Sequence, residues 1–465
     1  MLRIEDTDKT RFVEGAEKYI IDSLKCLGIP PDDGVNADGT AMYRQSEREY
    51  RSYVDKLLAS GHAYYAFDTP EELDLVRKKA EASKSVFSYN SITRNNMRNS
   101  LSLSADDVKI KMDIGLPYVI RFNVPRNREI IFHDLVKGAV KFNTNNMDDK
   151  VLFKSDGMVA YHLGNVVDDH LMEITHVIRG DEWVSSTPLH ILLYEAFGWD
   201  KPEFCHLPLV LGPDGKKLSK RKMKEYGFPV FPLNCSYEDE KGATVDVIGF
   251  KDEGYEPDAL INFLALLGWN PGGNKEIMTM DEMVSLFELE RINNSGAMFD
   301  IEKLKSFNAH YLRSREPIEL YNTFILPFAP EPCHKGGSVI KIVDIAKERS
   351  VFSKNLYPSV SYFFEPVILK DDVVLKNDVE FRAVMDAVSK SDYTNSWDAI
   401  TIKMDLEAFC EVLGFKLGKV LPDLRLALTG GIPGPDLPTT MEILGRDESL
   451  KRIKALLNKT EKVAG

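Results

Sequence analysis

The hydrophobic period changes along the 465 residues, and these changes constrain the fold more than any single motif. Residues 1–62 have an α/β pattern, in which a short apolar strand end precedes two amphipathic helices. Residues 63–154 mix strand-like pieces with polar helical stretches, and the α/β pattern returns at 155–222. We therefore expect an α/β sheet domain that carries an inserted α+β piece above a parallel sheet.

Two strands and one helix start are predicted inside the returning α/β part. Residues 174–178 and 207–211 are apolar enough to be strands, and the sequence Ser-Ser-Thr-Pro at 185–188 is typical of a capped helix start. After residue 223 the helical content grows, and from about 311 to 465 the period is mostly that of a helix. A helical C-terminal domain is expected.

Composition excludes several classes of protein. With 59 Lys and Arg against 72 Asp and Glu, the net charge of −13 rules out a generally cationic coat for nucleic acid, so any RNA contact must be local. The N-terminus lacks the apolar region of a signal peptide, and no apolar run approaches about 18 residues. We expect a cytoplasmic protein with no membrane contact, and the five cysteines, which form no C-x-x-C pair, fit a reducing compartment: Cys26, Cys205, Cys235, Cys333 and Cys410.

A basic loop follows the second predicted strand. Residues 212–222 read GPDGKKLSKRK, with five cations in the last seven positions. Ammonium groups on such a loop can stabilise the charge that develops as pyrophosphate leaves a nucleotide. On composition alone, a solvated basic loop is the favoured alternative.

A second group of polar residues falls on a predicted helix and strand. Tyr161 and Asn165 are four residues apart and share a face if their segment is helical. Arg179 ends the strand at 174–178, where open α/β sheets bind ligands, and its guanidinium can grip a carboxylate.

Some neighbouring residues have structural alternatives. Asp168, Asp169 and His170 suggest a metal site, but adjacent residues do not face one ion, so a structural His170 is favoured. Packing is favoured for Trp183 over base stacking.

Three carboxylates follow the apolar strand end near the N-terminus. For Asp6 and Asp8, helix capping and substrate contact both stay open. Glu5 stands at the strand end, where its carboxylate suits the ammonium group of a ligand.

Taken together, these segments resemble the bacterial-type glutamyl-tRNA synthetases, a family of class I aminoacyl-tRNA synthetases. The resemblance covers nearly the whole chain, and the ordered set is far more specific than the basic loop alone. The segments are LRIEDTDKTRF (2–12), YRQSER (43–48), AYYAFDTPEEL (63–73), YHLGNVVDDHLMEITHVIRGDEW (161–183), HLPLVLGPDGKKLSKRK (206–222) and EPDALINFLALLGWNPG (256–272).

The resemblance implies that ATP activates L-glutamate to glutamyl-adenylate and that the glutamyl group passes to the 3′ adenosine of a glutamate tRNA. Glu5 would then meet the substrate ammonium, and the other glutamate-binding residues would hold its carboxylates: Tyr161, Asn165 and Arg179. The residues that border the nucleotide would be Glu182, Trp183 and Leu209, with Lys220. The catalytic cations would be Lys217, Lys220 and Arg221, chiefly Lys220, which stabilise the phosphates.

The family also implies a division into parts. An α/β class I Rossmann-like catalytic domain, its first strand missing, carries an α+β acceptor-arm insertion and precedes an all-α anticodon-binding half. The implied bounds are 1–62 and 155–222 for the catalytic domain, 63–154 for the acceptor-arm (connective) insertion, 223–310 for a stem-contact domain and 311–465 for the helical anticodon-binding domain.

One departure from the family pattern concerns the N-terminus. The family begins with a strand, a proline-containing loop and a HIGH-like motif that contacts ATP, with an arginine and a serine of the glutamate pocket, and none of these precedes Met1. A sheet without its first strand would expose two unpaired edges. We expect these 465 residues by themselves to be poorly active or poorly folded. A start upstream of Met1 would instead make the protein an ordinary enzyme.

Another departure concerns metal. Some family members bind zinc through Cys and His just after the strand near Tyr65, but no cysteine stands between Cys26 and Cys205, so no zinc is expected. Mg²⁺ is expected to travel with ATP. The family expectation is a monomer.

Three rival functions stay open. Glutaminyl-tRNA synthetases share the catalytic domain but have a β-barrel anticodon half, whereas this C-terminus is predicted to be helical. A tRNA-modifying glutamyl-queuosine synthetase resembles the catalytic half alone, so the helical residues after 311 count against it. A non-catalytic tRNA-binding protein derived from the synthetase is the rival from another class. The presence of Arg179 and of the cations at 217–221 counts against this rival, because like charges within a loop repel each other when no ligand neutralises them.

Overall fold

The computed structural model describes residues 1–8, 12–238, 243–330, 337–391 and 396–464. The chain divides into two compact units. The first comprises Met1–Met223 and Leu264–Phe299, and the second comprises Lys224–Phe263 and Asp300–Gly465.

Short strands are distributed over the whole first segment of the first unit. Each is bounded by turns or helices, so neighbouring strands in a sheet are mostly distant in sequence. The strands are β1 (Arg3–Ile4), β2 (Tyr43–Arg44), β3 (Ala63–Ala66), β4 (Val119–Phe122), β5 (Glu129–Asp134), β6 (Gly138–Asn143), β7 (Val151–Phe153), β8 (His176–Gly180), β9 (Glu203–Leu207) and β10 (Val210–Leu211).

Helices alternate with these strands. In α3, the Thr69 side chain and Glu72 form a capping box and Pro70 opens the first turn, so its start is specified locally. The helices are α1 (Ala16–Cys26), α2 (Arg51–Ala59), α3 (Pro70–Ala82), α4 (Ala105–Asp113), α5 (Tyr161–Leu171), α6 (Thr187–Phe197) and α7 (Lys220–Glu225).

A four-stranded sheet organises the first unit. Its order is β6-β5-β9-β8, with β5, β9 and β8 parallel and β6 antiparallel to β5. The carboxyl ends of the three parallel strands therefore meet at one edge, where such sheets bind ligands. The core of this unit joins strands β5 and β9 to helices α2, α5 and α6 through buried apolar side chains that include Phe132, Phe204, Leu57, Leu163 and Leu192.

The segment between α2 and α5, predicted to be an insertion, contributes β5 and β6 to the four-stranded sheet and forms a second, smaller sheet from its other strands. Strands β3, β4 and β7 form an antiparallel sheet in the order β3-β4-β7. Tyr64 is buried on β3, and its hydroxyl donates to Asp149 at 2.7 Å. Arg94 also donates to that carboxylate at 3.0 Å, which ties the segment between α3 and α4 to the sheet.

Three local predictions need correction. The strand predicted at 174–178 begins two residues later, since β8 spans His176–Gly180. The strand predicted at 207–211 is divided in two, because Pro208 has no N–H to donate to a ladder between β9 and β10. Ser186 is the N-cap residue of α6, as expected, but its side chain makes no capping hydrogen bond with the described residues.

The segment after residue 223 is mainly helical, as predicted. Short strands interrupt it: β11 (Cys235–Glu238) pairs antiparallel with β12 (Thr244–Val247), and β13 (Ala297–Met298) pairs parallel with β10 inside the first unit. Its helices are α8 (Phe250–Glu253), α9 (Pro257–Gly268), α10 (Met280–Leu286), α11 (Ile301–Ser314), α12 (Pro317–Leu320), α13 (Gly337–Arg349), α14 (Leu356–Val360), α15 (Asp378–Lys390), α16 (Ala399–Val412), α17 (Leu417–Thr429), α18 (Leu437–Leu444) and α19 (Arg446–Ala464).

Two apolar clusters hold the helices of the second unit together. One includes Phe381, Leu406, Leu424 and Leu456 from α15, α16, α17 and α19, all buried. The other joins α11, α13 and α14. The expected fold class, a mixed α/β part followed by a helical part, is confirmed. Among the described residues, no helix has the length and apolar character needed to cross a membrane.

The pairing of β10 with β13 depends on Gly296. A Cβ built there would lie 2.9 Å from the carbonyl oxygen of Leu209 and 3.0 Å from the Leu211 side chain. Gly296→Ala is therefore expected to destabilise the first unit by about 1–3 kcal/mol, the usual effect of overpacking. The measurement is urea unfolding of the chain.

Gly268→Ala is the matched control for this change. At Gly268, the last residue of α9, an added Cβ would meet nothing within 4 Å. Alanine is also the better helix former there. Equal loss of stability in both variants would contradict the role given to Gly296.

Candidate active site

A cavity of about 370 Å³ opens beside the carboxyl end of β8 in the first unit. It brings together the four residues predicted to bind glutamate, although they come from three separate segments. Its lining combines charged and polar side chains with apolar ones, which suits a small ligand that has charged groups on an aliphatic stem. The polar lining residues include Arg3, Glu5, Tyr161, Asn165, Asp169 and Arg179.

Helix α5 places Tyr161 and Asn165 on its cavity face, as their spacing predicts. The opposite face is buried in the core through Leu163, Val166 and Val167, which fixes the rotation of the helix. Asn165 Nδ2 donates to Glu5 Oε1 at 3.3 Å, and no described residue donates to its buried Oδ1. The amide oxygen of this cavity-lining residue is thus without a hydrogen-bond donor among the described residues.

Glu5 follows β1 and brings negative charge to the cavity. Its Oε1 accepts a hydrogen bond from Arg3 Nη2 at 2.9 Å, and Arg3 Nη1 donates to Asp169 at 2.9 Å. Burial raises the pKa of Asp169, while Arg3 opposes that shift. Two carboxylates around one arginine leave acceptor capacity for an ammonium group.

Arg179 lies near the end of β8 and is held on two sides. Its Nε donates to His206 Nε2 at 3.1 Å, and its Nη2 donates to Thr187 Oγ1 at 2.8 Å and to the Trp183 carbonyl at 3.2 Å. The buried Nη1 has no partner of good geometry among the described residues. Burial lowers the pKa of Arg179, but a guanidinium remains charged at neutral pH. Beside Tyr161, Arg179 therefore keeps one charged edge without a well-aligned protein acceptor, and a carboxylate is the group that would pair with it.

Tyr161 lies close to both the Arg179 guanidinium and the ring of Trp183. Its ring centroid is 5.0 Å from that of Trp183, which is 39% exposed. Burial raises the pKa of Tyr161, and Glu5 adds to that shift while Arg179 opposes it. The hydroxyl therefore stays protonated and can donate to a ligand oxygen.

Sequence reasoning missed three polar residues behind Arg179. Thr187, Asp134 and His206 are fully buried, and the last two lie on β5 and β9. The signal that could have found them is their position, since Asp134 and His206 stand at or near the carboxyl ends of parallel strands.

The basic loop forms a tight hairpin after β10. Gly215, with a φ of 71°, makes its turn, and Leu218 N donates to the Val210 carbonyl at 2.8 Å. Lys217 Nζ lies 3.4 Å from Glu182 Oε1, while Lys222 pairs with Asp214. The structure thus joins Lys217 to the segment that carries Glu182 and Trp183.

The other residues predicted for the nucleotide lie along the same stretch. Leu209 is half-buried between β9 and β10, and Lys220 and Arg221 are exposed in the first turn of α7. Their roles stay predictions.

The remaining carboxylates and His170 are accounted for by packing. Asp168 is fully buried and accepts from Gln45 at 2.8 Å and from the Tyr50 hydroxyl at 2.9 Å. His170 stacks on Trp199 with ring centroids 3.8 Å apart. Within the described part of the chain, no group of three or more His, Cys, Asp or Glu side chains is arranged to hold a metal ion.

The contacts of Asp6 near the N-terminus are not those of a helix cap. Asp6 accepts from the backbone N–H of Ser46 at 2.8 Å and from its hydroxyl at 2.5 Å, so it ties β1 to the segment after β2. The N-cap residue of α1 is Gly15, so neither Asp6 nor Asp8 is the N-cap of that helix, and residues 9–11, which follow Asp8, lie outside the described residues. Of the five cysteines, four are free thiols, and Cys333 lies outside the described residues.

Comparison with known proteins agrees with this geometry. The family described as "tRNA synthetases class I (E and Q), catalytic domain" matches residues 1–229 and 240–306, and the family "Anticodon binding domain" matches 318–457. The glutamate–tRNA ligase of Amoebophilus asiaticus is 45% identical over 98% of this chain and 91% of its own length. That of Cytophaga hutchinsonii is 46% identical over 100% of this chain and 92% of its own length.

Solved structures give the same relationship. The crystal structure of a glutamate tRNA ligase from Elizabethkingia meningosepticum in complex with its amino acid has a TM-score of 0.88. It is 43% identical, over 98% of this chain and 92% of that one. The glutamate-tRNA synthetase of Elizabethkingia anophelis has a TM-score of 0.87 at 44% identity. This chain therefore belongs to the glutamate–tRNA ligase family of the class I tRNA synthetases.

Proposed function

We propose that this chain uses ATP to join L-glutamate to the 3′ end of glutamate tRNA. The single observation that carries the proposal is that Arg179 lines a cavity that also contains Glu5, while its buried Nη1 has no protein acceptor of good geometry among the described residues. A neutral amide in place of the substrate's side-chain carboxylate would leave that charge unpaired, so the site favours glutamate over glutamine.

The reaction has two steps. In the first, an oxygen of the glutamate α-carboxylate attacks the α-phosphorus of ATP, and the bond to the departing pyrophosphate breaks. In the second, a hydroxyl of the terminal tRNA adenosine attacks the carbonyl carbon of the adenylate, the hydroxyl proton is released, and AMP leaves with the bonding electron pair. Glu5 holds the substrate ammonium in both steps. Tyr161 and Asn165 orient the carboxylates of glutamate in the first step and the remaining side-chain carboxylate in the second.

The basic loop acts on the first step. Lys217, Lys220 and Arg221 stabilise the negative charge that grows on the departing pyrophosphate, with Lys220 as the main contributor. Glu182, Trp183 and Leu209 border the nucleotide. Mg²⁺ accompanies the phosphates of ATP, which tether it without a dedicated protein cage. No zinc takes part.

The parts of the chain then have separate tasks. Residues 63–154 contact the acceptor arm of the tRNA, 223–310 the stem and 311–465 the anticodon. The protein acts as a monomer in the cytoplasm.

A charging assay tests the function. The assay contains ATP, Mg²⁺ and equimolar amounts of the chain and the tRNA. We expect glutamate to be esterified to glutamate tRNA, and glutamine to be esterified at most a hundredth as fast. The hundredfold margin is an estimate from the cost of an unpaired buried charge. Preferred esterification of glutamine would favour a glutaminyl-tRNA synthetase.

Pyrophosphate exchange separates the enzyme from the tRNA-binding alternative. A ligase exchanges labelled pyrophosphate into ATP only when its amino acid is present. Tight binding of glutamate tRNA with no glutamate-dependent exchange and no ester would favour the non-catalytic protein.

A further inference from the structure

A row of buried polar side chains crosses the sheet behind Arg179. It runs over three adjacent parallel strands, from Asp134 at the end of β5, through His206 on β9, to Arg179 on β8. His206 Nδ1 lies 2.6 Å from Asp134 Oδ2, and His206 Nε2 lies 3.1 Å from Arg179 Nε. Asp134 and His206 are fully buried, so solvent does not compete for these contacts.

The chemistry of Arg179 fixes the tautomer of His206. A guanidinium nitrogen can only donate, so His206 Nε2 must be the unprotonated nitrogen that accepts. The ring proton is therefore on Nδ1, which donates to the Asp134 carboxylate. Burial lowers the pKa of His206, although Asp134 opposes the shift, so the ring is neutral at physiological pH.

Asp134 is itself held in place by the backbone. Its Oδ1 accepts from the N–H groups of Val136 at 3.0 Å and Lys137 at 2.9 Å, in the turn that follows β5. Burial raises the pKa of Asp134, but the hydrogen bond from His206 and these backbone bonds together keep it below its ordinary value. The row is thus anchored at its far end by main-chain atoms.

The near end of the row decides which nitrogen of the guanidinium is left without a protein acceptor. His206 occupies Nε and Thr187 occupies Nη2, at 2.8 Å. Because the guanidinium is planar, these two contacts fix its orientation and direct Nη1 away from both partners. No described residue gives Nη1 a well-aligned acceptor.

We propose that His206 is a positioning residue that, as the neutral Nδ1–H tautomer held by Asp134, orients Arg179 toward the side-chain carboxylate of the amino-acid substrate. The proposal rests on the proposed function, in which Arg179 binds that carboxylate. Positioning residues of this kind act on substrate affinity and selectivity rather than on the reacting atoms.

Two substitutions separate the two hydrogen bonds of His206. The amide of His206→Asn stands near the position of Nδ1, so it keeps the donor to Asp134 and loses the acceptor for Arg179. The amide of His206→Gln reaches the position of Nε2, so it keeps an acceptor for Arg179. We expect His206→Asn to raise the KM for glutamate about tenfold in pyrophosphate exchange, the size of a weakened charged hydrogen bond.

The KM for ATP, the Kd for tRNA and the effect of His206→Gln distinguish a positioning role from a general loss of structure. The KM for ATP and the Kd for tRNA should be unchanged in His206→Asn, and the KM for glutamate in His206→Gln should rise less than about threefold. Equal increases in both variants, or no increase in His206→Asn, would overturn the proposal.

Nuclear magnetic resonance of the unsubstituted chain provides a test that needs no stable variant. With ¹⁵N-labelled histidine, His206 should show a protonated Nδ1 and an unprotonated Nε2 at neutral pH. A protonated Nε2 would overturn the proposal.

Arg179→Met distinguishes failure of this inference from failure of the proposed function. If Arg179→Met leaves the KM for glutamate unchanged, Arg179 does not bind the substrate and both fail. If Arg179→Met impairs glutamate use while His206→Asn does not, the proposed function stands and the positioning role is overturned.

Discussion

Replacing Arg179 with methionine is expected to lower kcat/KM for glutamate by about a hundredfold, measured by pyrophosphate exchange relative to the unsubstituted chain. Methionine keeps much of the aliphatic length but removes the charge that the proposed ligand carboxylate needs. Loss of one partner from a buried charged pair costs about 3 kcal/mol, which corresponds to that factor. The KM for ATP should change little, since Arg179 is not among the residues assigned to the nucleotide.

Two further variants make this result specific. Arg77→Met removes an exposed arginine on α3 that pairs with Asp74, so it should leave glutamate activation unchanged. Arg179→Lys keeps the charge and loses the planar fork, so its activity should lie between those of the methionine variant and the unsubstituted chain. Normal glutamate activation by Arg179→Met would contradict the assigned site.

Replacing Lys220 with methionine is expected to slow formation of glutamyl-adenylate about a hundredfold. The ammonium group is proposed to act on charge that appears only as pyrophosphate leaves, so kcat should fall while the KM for glutamate stays near its original value. Single-turnover measurement of adenylate formation gives the rate of this step directly.

Lys216→Met is the matched control in the same loop. Lys216 is also an exposed lysine, but it precedes the segment Lys217 to Arg221 that the family resemblance assigns to the phosphates. We expect less than about a threefold loss for this variant, since removal of one exposed charge changes a screened interaction only slightly. Equal losses of the adenylate-forming rate in Lys216→Met and Lys220→Met would mean that the loop acts only through its net charge, which would contradict the specific role of Lys220.

Local patterns predicted the parts of the site that depend on one element. The four-residue spacing of Tyr161 and Asn165 predicted a shared helix face, and the structure places both on the cavity side of α5. The apolar segment before Arg179 predicted that its side chain stands near a strand end, which β8 confirms. In both cases the spacing of apolar residues is enough to predict the element on which the side chain lies.

Contacts between distant segments could not be predicted in this way. Asp134 and His206 are 72 residues apart, and their hydrogen bond exists only because β5 and β9 are neighbours in the sheet. Likewise, the contact of Gly296 with Leu209 depends on the pairing of β10 with β13. Strand order is set by packing of the whole unit, so a single sequence does not reveal it.

The most direct test of the central claim is a crystal structure of the chain with a non-hydrolysable analogue of glutamyl-adenylate. We predict that the side-chain carboxylate of the analogue lies within hydrogen-bond distance of Arg179 Nη1. Its ammonium group should face Glu5, and its phosphate should point toward the basic loop at 212–222. An analogue bound with its side-chain carboxylate away from Arg179, or outside the cavity beside β8, would contradict the account.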